Sequence, residues 1–577
     1  MDRFFNGNKN SVILNKKKNS FIYGNWYDEP MYIRDNNGSI KRWDFYGGNL
    51  RGVIEKLDYL KNLGVDYIWM TPFYVSPQKD NGYDIADYYK IDPRYGTMED
   101  FEELVREAKS RNIDIMLDMV FNHTSTEHEW FQRALKGEEK YKNYYIFKEG
   151  KKGEPPTNWI SKFGGNAWEY VEELGEYYLH LFDVSQADLN WDNKELREEI
   201  YKVVNFWIDK GVKGFRLDVI NLISKPEKFE NDYEGDGRRF YTDGYRIHEY
   251  LKELNERTFG KDVEIVTVGE MSSTTIENCI KYSNPKEKEL SMVFNFHHLK
   301  VDYKDGQKWS LMDFDFIELK KLFNNWQRGM IKGEGWNAVF WCNHDQPRVN
   351  SRFGDVNKYF NESSKMLATS IHMMSGTPYV YQGEEIGMTN PGFESIEEYR
   401  DVESINYFNI LKEEGIDEKE IMEILKSKSR DNSRTPVQWN EEKNAGFTTG
   451  TPWINIANNY RKINVERALE NKDSVFYHYK KLIELRKNED VIAYGDYVQL
   501  LEDHPKVYAY ERNYNGEKLL VINNFYGEEC LVDLSKEIEG LENYNKSILI
   551  SNYKDSTLDL LNLKLRPYES IVYKLEK

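Results

Sequence analysis

Short apolar runs alternate with longer, helix-patterned stretches through most of this 577-residue chain. Seven runs read as strands buried on both faces: Tyr67–Met70, Ile115–Val120, Gly214–Val219, Ile265–Glu270, Met292–Phe296, Ala338–Asn343 and Tyr379–Gln382. The stretches between them carry helix signals. Leu50, Val53, Ile54, Leu57, Leu60 and Leu63 share one helical face closed by Gly64, and Thr97 with Asp100 fits a capping box. Strands joined in this way form a parallel sheet with helical crossovers. Seven approach the eight of an α/β (β/α)8 TIM barrel. An open, doubly wound sheet would want a Gly-rich dinucleotide loop near its first strand, and no GxGxxG follows any of these runs.

Two zones break the alternation. Residues 124–192, rich in Trp, Tyr, Gly and Asn, predict a subdomain inserted after the third barrel strand. Beyond a last long helix at Tyr477–Arg486 come short alternating runs, Val507–Glu511, Lys518–Asn523 and Ser570–Lys574. They predict an antiparallel β-sandwich. The expected organisation is an atypical N-terminal segment (1–60), a barrel (61–123 and 193–489), the inserted subdomain (124–192) and a C-terminal β domain (490–577).

Composition narrows the partners. A formal charge of −19 argues against nucleic acid or an anionic membrane, which would be repelled at long range. Three cysteines, Cys279, Cys342 and Cys530, make neither a disulfide framework nor a CxxC metal site. The opening MDRFFNGNKN has no apolar signal-like region, and no run of about 18 apolar residues occurs. The expectation is a soluble cytoplasmic protein with reduced thiols.

In a TIM barrel the chemistry sits at the C-terminal ends of the strands. Numbering the strands as if a first one were missing, the third ends in Asp118 and then Asn122–His123 (DMVFNH). The fourth ends in Arg216 and Asp218 (GFRLDV), the fifth in Glu270 (TVGE), the seventh in Asn343, His344 and Asp345 (WCNHD). One carboxylate at a strand end is commonly a helix cap or an ion-pair partner. Three, Asp218, Glu270 and Asp345, converging from three strands are hard to explain structurally, because each buried ion costs several kcal/mol. A carboxylate pair flanking one bond is what glycoside hydrolysis needs: one ionised group attacks the anomeric carbon, and one protonated group donates to the leaving oxygen. Arg216 lies two residues before Asp218, so on a strand both point the same way, and the guanidinium holds Asp218 ionised. No HExxH or His-x-His pair favours a metal instead.

The segments DMVFNH, GFRLDV, TVGE and WCNHDQ resemble, in order, the four signature regions of the α-amylase superfamily of glycoside hydrolases. The resemblance implies Asp218 as nucleophile, Glu270 as general acid/base and Asp345 as the carboxylate stabilising the distorted ring. It implies that His123, Arg216 and His344 contact or orient the sugar there. Tyr83–Asp84 (NGYD) and Arg434 (RDNSRTPVQW) resemble positions closing the pocket floor in exo-acting glucosidases, where an Asp and an Arg pair beneath the glucose 4-hydroxyl. Val219, after the nucleophile, accompanies α-1,6 or α,α-1,1 linkages in related glucosidases.

From about residue 65 onward, EGDGRRFYTDG, GEMSSTT, FHHLKVDYKDGQKW and KSRDNSRTP resemble members acting on the phosphorylated disaccharide trehalose-6-phosphate. This implies a retaining, exo-acting α-glucosidase releasing glucose and glucose-6-phosphate. Cleavage of isomaltose-type α-1,6 linkages is the alternative, and an inactive sugar-binding relic a second. Lys300, Lys304 and Lys308 cluster beyond the sixth strand. The resemblance covers Lys300 and Lys308, and Lys suits phosphate as a point charge.

The N-terminus departs from this pattern. Relatives begin with a strand and a YQIYPRSF-like motif, then an Asp-rich metal-binding loop; this chain opens at Asp2–Arg3–Phe4, as if just after that strand. Residues 2–60 resemble instead the entry segment of neopullulanase- or amylopullulanase-type members. No metal or other cofactor is expected. The first barrel strand is expected to be missing, or replaced by Val12–Leu14 or Tyr32–Ile33, and a barrel one strand short would leave two open edges.

Overall fold

The computed structural model describes residues 3–7, 32–34, 36, 40–43 and 47–576. Tyr67–Met70, Asp114–Met119, Gly214–Leu217, Val266–Glu270 and Met292–Phe294 lie side by side in chain order, all parallel. Ala338–Val339 and Thr377–Pro378 pair in parallel as well, and a bridge between Val293 and Asn337 links them to the run. The last strand lies just upstream of the expected Tyr379–Gln382. Tyr379 N–H still donates to Val339 O (2.9 Å), but Gly383 (φ 87°) then turns the chain left-handed into the short 3-10 turn Glu384–Ile386.

Helices cover the outside of the sheet. Thr97 and Asp100 form the reciprocal capping box that opens Met98–Ser110, whose buried face is Phe101, Leu104 and Ala108. Burying a Phe or Leu of this kind stabilises by about 1.5–3 kcal/mol each. The apolar face from Leu50 to Leu63 belongs to two helices rather than one, Leu50–Glu55 and Leu57–Leu63, broken at Lys56 (φ −106°, ψ 7°). Gly64 (φ 102°) ends the second.

Tyr32–Arg34 does not replace a barrel strand. It pairs antiparallel with Ile40–Trp43 in a two-stranded ribbon of its own. Val12–Leu14 lies outside the described residues. Among the described residues no strand pairs with the free edge of Tyr67–Met70. Arg3–Gly7 is nevertheless held firmly: the N–H groups of Val437 and Asn49 donate to the carbonyls of Arg3 (2.8 Å) and Phe5 (3.2 Å), and Asn6 N–H donates to Phe447 O (3.2 Å). Phe4 and Phe5 stack edge-on against Trp439.

In the segment between the second and third of these strands, Phe147–Glu149, Trp168–Val171 and Glu176–Leu179 form a three-stranded antiparallel sheet. His123–Ser125 pairs with Gln186–Asp188 and ties the two ends of the segment together. Its core of Trp159, Trp168 and Leu179 packs on Val219, Leu222 and Tyr241, so it caps the barrel beside Asp218. The C-terminal part is a five-stranded antiparallel sheet, with Asp496–Leu500 at one edge and Asn545–Ser551 at the other, and a smaller Cys530–Val532/Leu563–Leu565 pair. Leu520, Ile522, Val532, Leu563 and Ile571 form its own core. Lys320, on the helix Phe316–Lys332, anchors this domain by donating to the carbonyls of Leu501, His504 and Val507 (2.7–3.1 Å).

Candidate active site

Strand register alone brings the catalytic candidates together. Arg216 sits opposite both Asp118 and Val268, and Leu217 opposite Gly269. Asp218 and Glu270, each the next residue along, therefore emerge side by side, and period-two alternation turns Asp118, Arg216, Asp218 and Glu270 to the same, inward face. The buried Arg216 guanidinium joins them: Nη1 donates to Asp118 Oδ1 (2.7 Å) and to Asp218, and Nη2 to Glu270. Its plane lies over Trp69, 5.0 Å from the ring centroid. Asp218 and Glu270 thus share one guanidinium, and each raises or lowers the other's ionisation directly.

Electrostatics separates the two acids. Burial drives both upward against the pull of Arg216, Asp218 to about 7 and Glu270 to about 8, with Asp345 adding to the rise at Glu270. Because the two carboxyls are coupled, the pair holds a single proton between its two titrations, one acid ionised and one protonated, as a nucleophile and a proton donor require. Asp345 behaves oppositely. Burial pushes it up, but His344, Arg430 and Arg434 together hold it well below the usual carboxylate range. Its contacts are His344 Nε2 at 3.1 Å, Arg434 Nη2 at 2.8 Å and Arg430 Nη1 at 3.3 Å. His123 and His344 are pushed down to about 4 by burial and are neutral donors or acceptors at neutral pH.

These groups open onto a cleft of about 260 Å³ lined by Asp218, Glu270, Asp345, Tyr83, His123 and Val219, with Phe163 and Phe182 among its aromatic walls. Tyr83 stacks flat on His344 (centroids 5.1 Å apart, 5° between planes) and donates to Asp118 Oδ2 (2.8 Å). His123 Nε2 meets Tyr83 O at 3.1 Å. Val219 holds φ 36°, a left-handed conformation costly for a β-branched residue, immediately after Asp218. Arg216 lies behind the wall rather than on it.

The floor pair differs from expectation. Asp84 does not reach the cleft or Arg434, because its carboxylate accepts from Ser76 Oγ (3.1 Å) and from the N–H groups of Lys79 (2.9 Å) and Asp80 (3.1 Å), closing its own loop. Arg434 instead braces Asp345 and the carbonyl of His344 (2.8 Å). The Asp–Arg pair that lines the cleft is Asp80–Arg430, at 2.9 Å, each a few residues earlier in the same two segments. RDNSRTPVQW contains the right Arg at its first position, whereas Asp80 lies one residue before NGYD, outside the motif.

The lysines do not converge as a trio. Lys300 and Lys304 are both exposed, and only Lys300 lines the cleft. Lys308 reaches the wall but is neutralised by Glu403, whose carboxylate oxygens accept from it at 2.7 and 2.8 Å. Lys162, from the inserted segment, also lines the cleft and carried no signal in the sequence.

A parallel barrel with an acidic pair, an Arg bridge and a third carboxylate at its strand ends defines a glycosidase-type site. The chain belongs to the alpha-amylase family: the model of the alpha amylase catalytic domain matches residues 1–495, and that of the alpha-amylase SusG C-terminal domain matches residues 507–572. Among curated proteins it is 58% identical to the trehalose-6-phosphate hydrolase of Bacillus subtilis (92% of this chain, 94% of the relative). It is 50% identical to the oligo-1,6-glucosidase of Bacillus cereus (92% and 95%). The crystal structure of Bacillus licheniformis trehalose-6-phosphate hydrolase superposes with a TM-score of 0.88 at 60% identity, covering 92% of this chain and 96% of that one.

Proposed function

We propose that this protein is a retaining, exo-acting α-glucosidase that hydrolyses trehalose-6-phosphate to glucose and glucose-6-phosphate. The observation that carries the reading is the shared guanidinium, which joins Asp218 and Glu270 within one cleft. Identity of 58% and 55% to trehalose-6-phosphate hydrolases over more than nine-tenths of the chain supports the substrate.

In the first step the Asp218 carboxylate attacks the anomeric carbon, the bond to the leaving sugar breaks, and Glu270 gives its proton to the departing oxygen. In the second, Glu270 takes a proton from water as the water attacks the same carbon and frees Asp218. Asp345, held ionised by His344 and Arg434, favours the positively charged, flattened ring of the transition state. Asp80 and Arg430 hold the far hydroxyls of the terminal glucose and block extension there, which makes the enzyme exo-acting. His123, Tyr83 and His344 orient the same ring. The reading takes the barrel as an eight-strand plan with its first strand missing or replaced, and 124–192 as a subdomain roofing the cleft. No described helix is long and apolar enough to cross a membrane.

The test is glucose release from trehalose-6-phosphate, trehalose and isomaltose by the purified protein. Strong preference for the phosphorylated sugar is expected. Preference for isomaltose would keep the double displacement and replace the substrate by the oligo-1,6-glucosidase one. Folded protein inactive on all three would overturn the reading.

A further inference from the structure

Close to Glu270, the proton donor in the functional reading, the cleft wall carries two lysines. Lys162 and Lys300 both line it, with Ser272, Ser273 and Phe296. Lys162 is fixed by its backbone, whose N–H donates to Leu181 O (2.8 Å), and its Nζ donates to the neutral Ser272 Oγ at 3.2 Å. Its ammonium sits 5.8 Å from the Tyr241 ring centroid. Lys162 is half-buried and Lys300 exposed, and among the described residues no carboxylate lies within ion-pair distance of either, in a chain of formal charge −19 whose Lys308, Arg352 and Arg430 nearby are all paired with carboxylates. Lys308, by contrast, is already held by Glu403. Burial, with repulsion from Arg238 and Lys300, outweighs the attraction of Asp236 and Glu270 and lowers Lys162 to about 8.

We propose that Lys162, with Lys300 and the Ser272 hydroxyl, forms the seat of the 6-phosphate on the leaving sugar, and that Lys162 is a specificity-determining residue. This rests on the phosphorylated-disaccharide reading above. Two ammonium groups, one from the inserted segment and one from the loop after Met292–Phe294, and a hydroxyl already held by the first line the same cleft, and a dianion supplies the charge they lack. The inserted segment thereby acquires a role besides roofing: it delivers one of the two cations. Lys308 acts only through Glu403, which also contacts Arg430 at 3.3 Å.

The test measures kcat and KM of the full chain for trehalose-6-phosphate and for p-nitrophenyl α-glucoside, with glucose-6-phosphate as inhibitor of the second reaction. The variants are Lys162→Met, Lys162→Arg and Lys308→Met, each checked for a cooperative thermal transition. For Lys162→Met the ratio of kcat/KM between the two substrates should fall about 10- to 100-fold, chiefly through KM, as expected for one lost charge-assisted hydrogen bond. Inhibition by glucose-6-phosphate should weaken in parallel. Lys162→Arg should recover most of both, and Lys308→Met should change the ratio less than Lys162→Met does. If the wild type prefers trehalose-6-phosphate to trehalose but Lys162→Met keeps its ratio and its inhibition, the proposal is overturned while the functional reading stands. Equal losses on both substrates would make Lys162 merely structural and also overturn it. A wild type with no preference and no inhibition would remove the substrate reading and this proposal together.

Discussion

Replacing Arg216 by Lys keeps the positive charge and removes the fork that distributes it. In the native site one nitrogen serves Asp118 (2.7 Å) and Asp218 while the other serves Glu270. A single ammonium cannot reach both ends, so one or two of the three contacts are lost, Glu270 alone or Asp118 and Asp218 together. Each charge-assisted hydrogen bond contributes about 1.5–3 kcal/mol, so a loss of about 1.5–6 kcal/mol follows, equivalent to roughly 10–10⁴ in rate where it falls on the transition state. The pH profile reports the same event separately. The native profile is expected to rise and fall with the two titrations of the Asp218–Glu270 pair, near pH 7 and pH 8, the two apparent values belonging to the pair. Arg216 holds Asp218 down, so weakening that contact raises the pKa of Asp218 and moves the acid limb to higher pH, by about one unit. The assay is kcat/KM against pH for p-nitrophenyl α-glucoside, alongside a thermal melt to confirm folding. An Arg216→Lys enzyme with native kcat/KM and an unmoved acid limb would refute the reasoning.

Glu270→Gln removes the proton donor. Hydrolysis of trehalose-6-phosphate should fall about 10²- to 10⁴-fold and lose its basic limb, while p-nitrophenyl α-glucoside, whose leaving group needs less protonation, should lose less; steady-state rates on both decide it. Gly52→Ala tests the docking of the N-terminal residues. A Cβ there would overlap the Phe5 carbonyl oxygen, so thermal unfolding should show a loss of about 1–3 kcal/mol, and an unchanged melting temperature would mean that Arg3–Gly7 contributes nothing.

The barrel was legible because it is written in period. Each strand is an apolar run, and the charged residue that closes it is bound to meet the closing residues of its neighbours once the register is parallel; Asp118, Arg216, Asp218 and Glu270 needed no further information. Residues placed by loops had no such guide. Asp84 closes the NGYD motif and Asp80 immediately precedes it, and which of the two reaches the cleft is decided by which one the curled backbone captures. Ser76 and the N–H groups of Lys79 and Asp80 take Asp84, which leaves Asp80 for Arg430. In the same way Arg434 is drawn away by Asp345 and by the carbonyl of His344.

Lys162 lies further still from anything periodic. It stands in a Trp- and Gly-rich segment whose fold is set by its own small core, and it meets Lys300 only because that core packs on Val219 and Tyr241 beside the nucleophile. A lysine pair assembled from two distant loops cannot be read in either loop alone: Lys300, Lys304 and Lys308 looked like a cluster because they are near in sequence, yet one lies off the cleft wall and one is neutralised. The residues that set the chemistry are therefore held by strands, where position follows from alternation. Those that would set the substrate are held by loops, where position follows from competition among hydrogen-bond partners. That division lets one barrel keep its carboxylates fixed while the cations around the leaving sugar change.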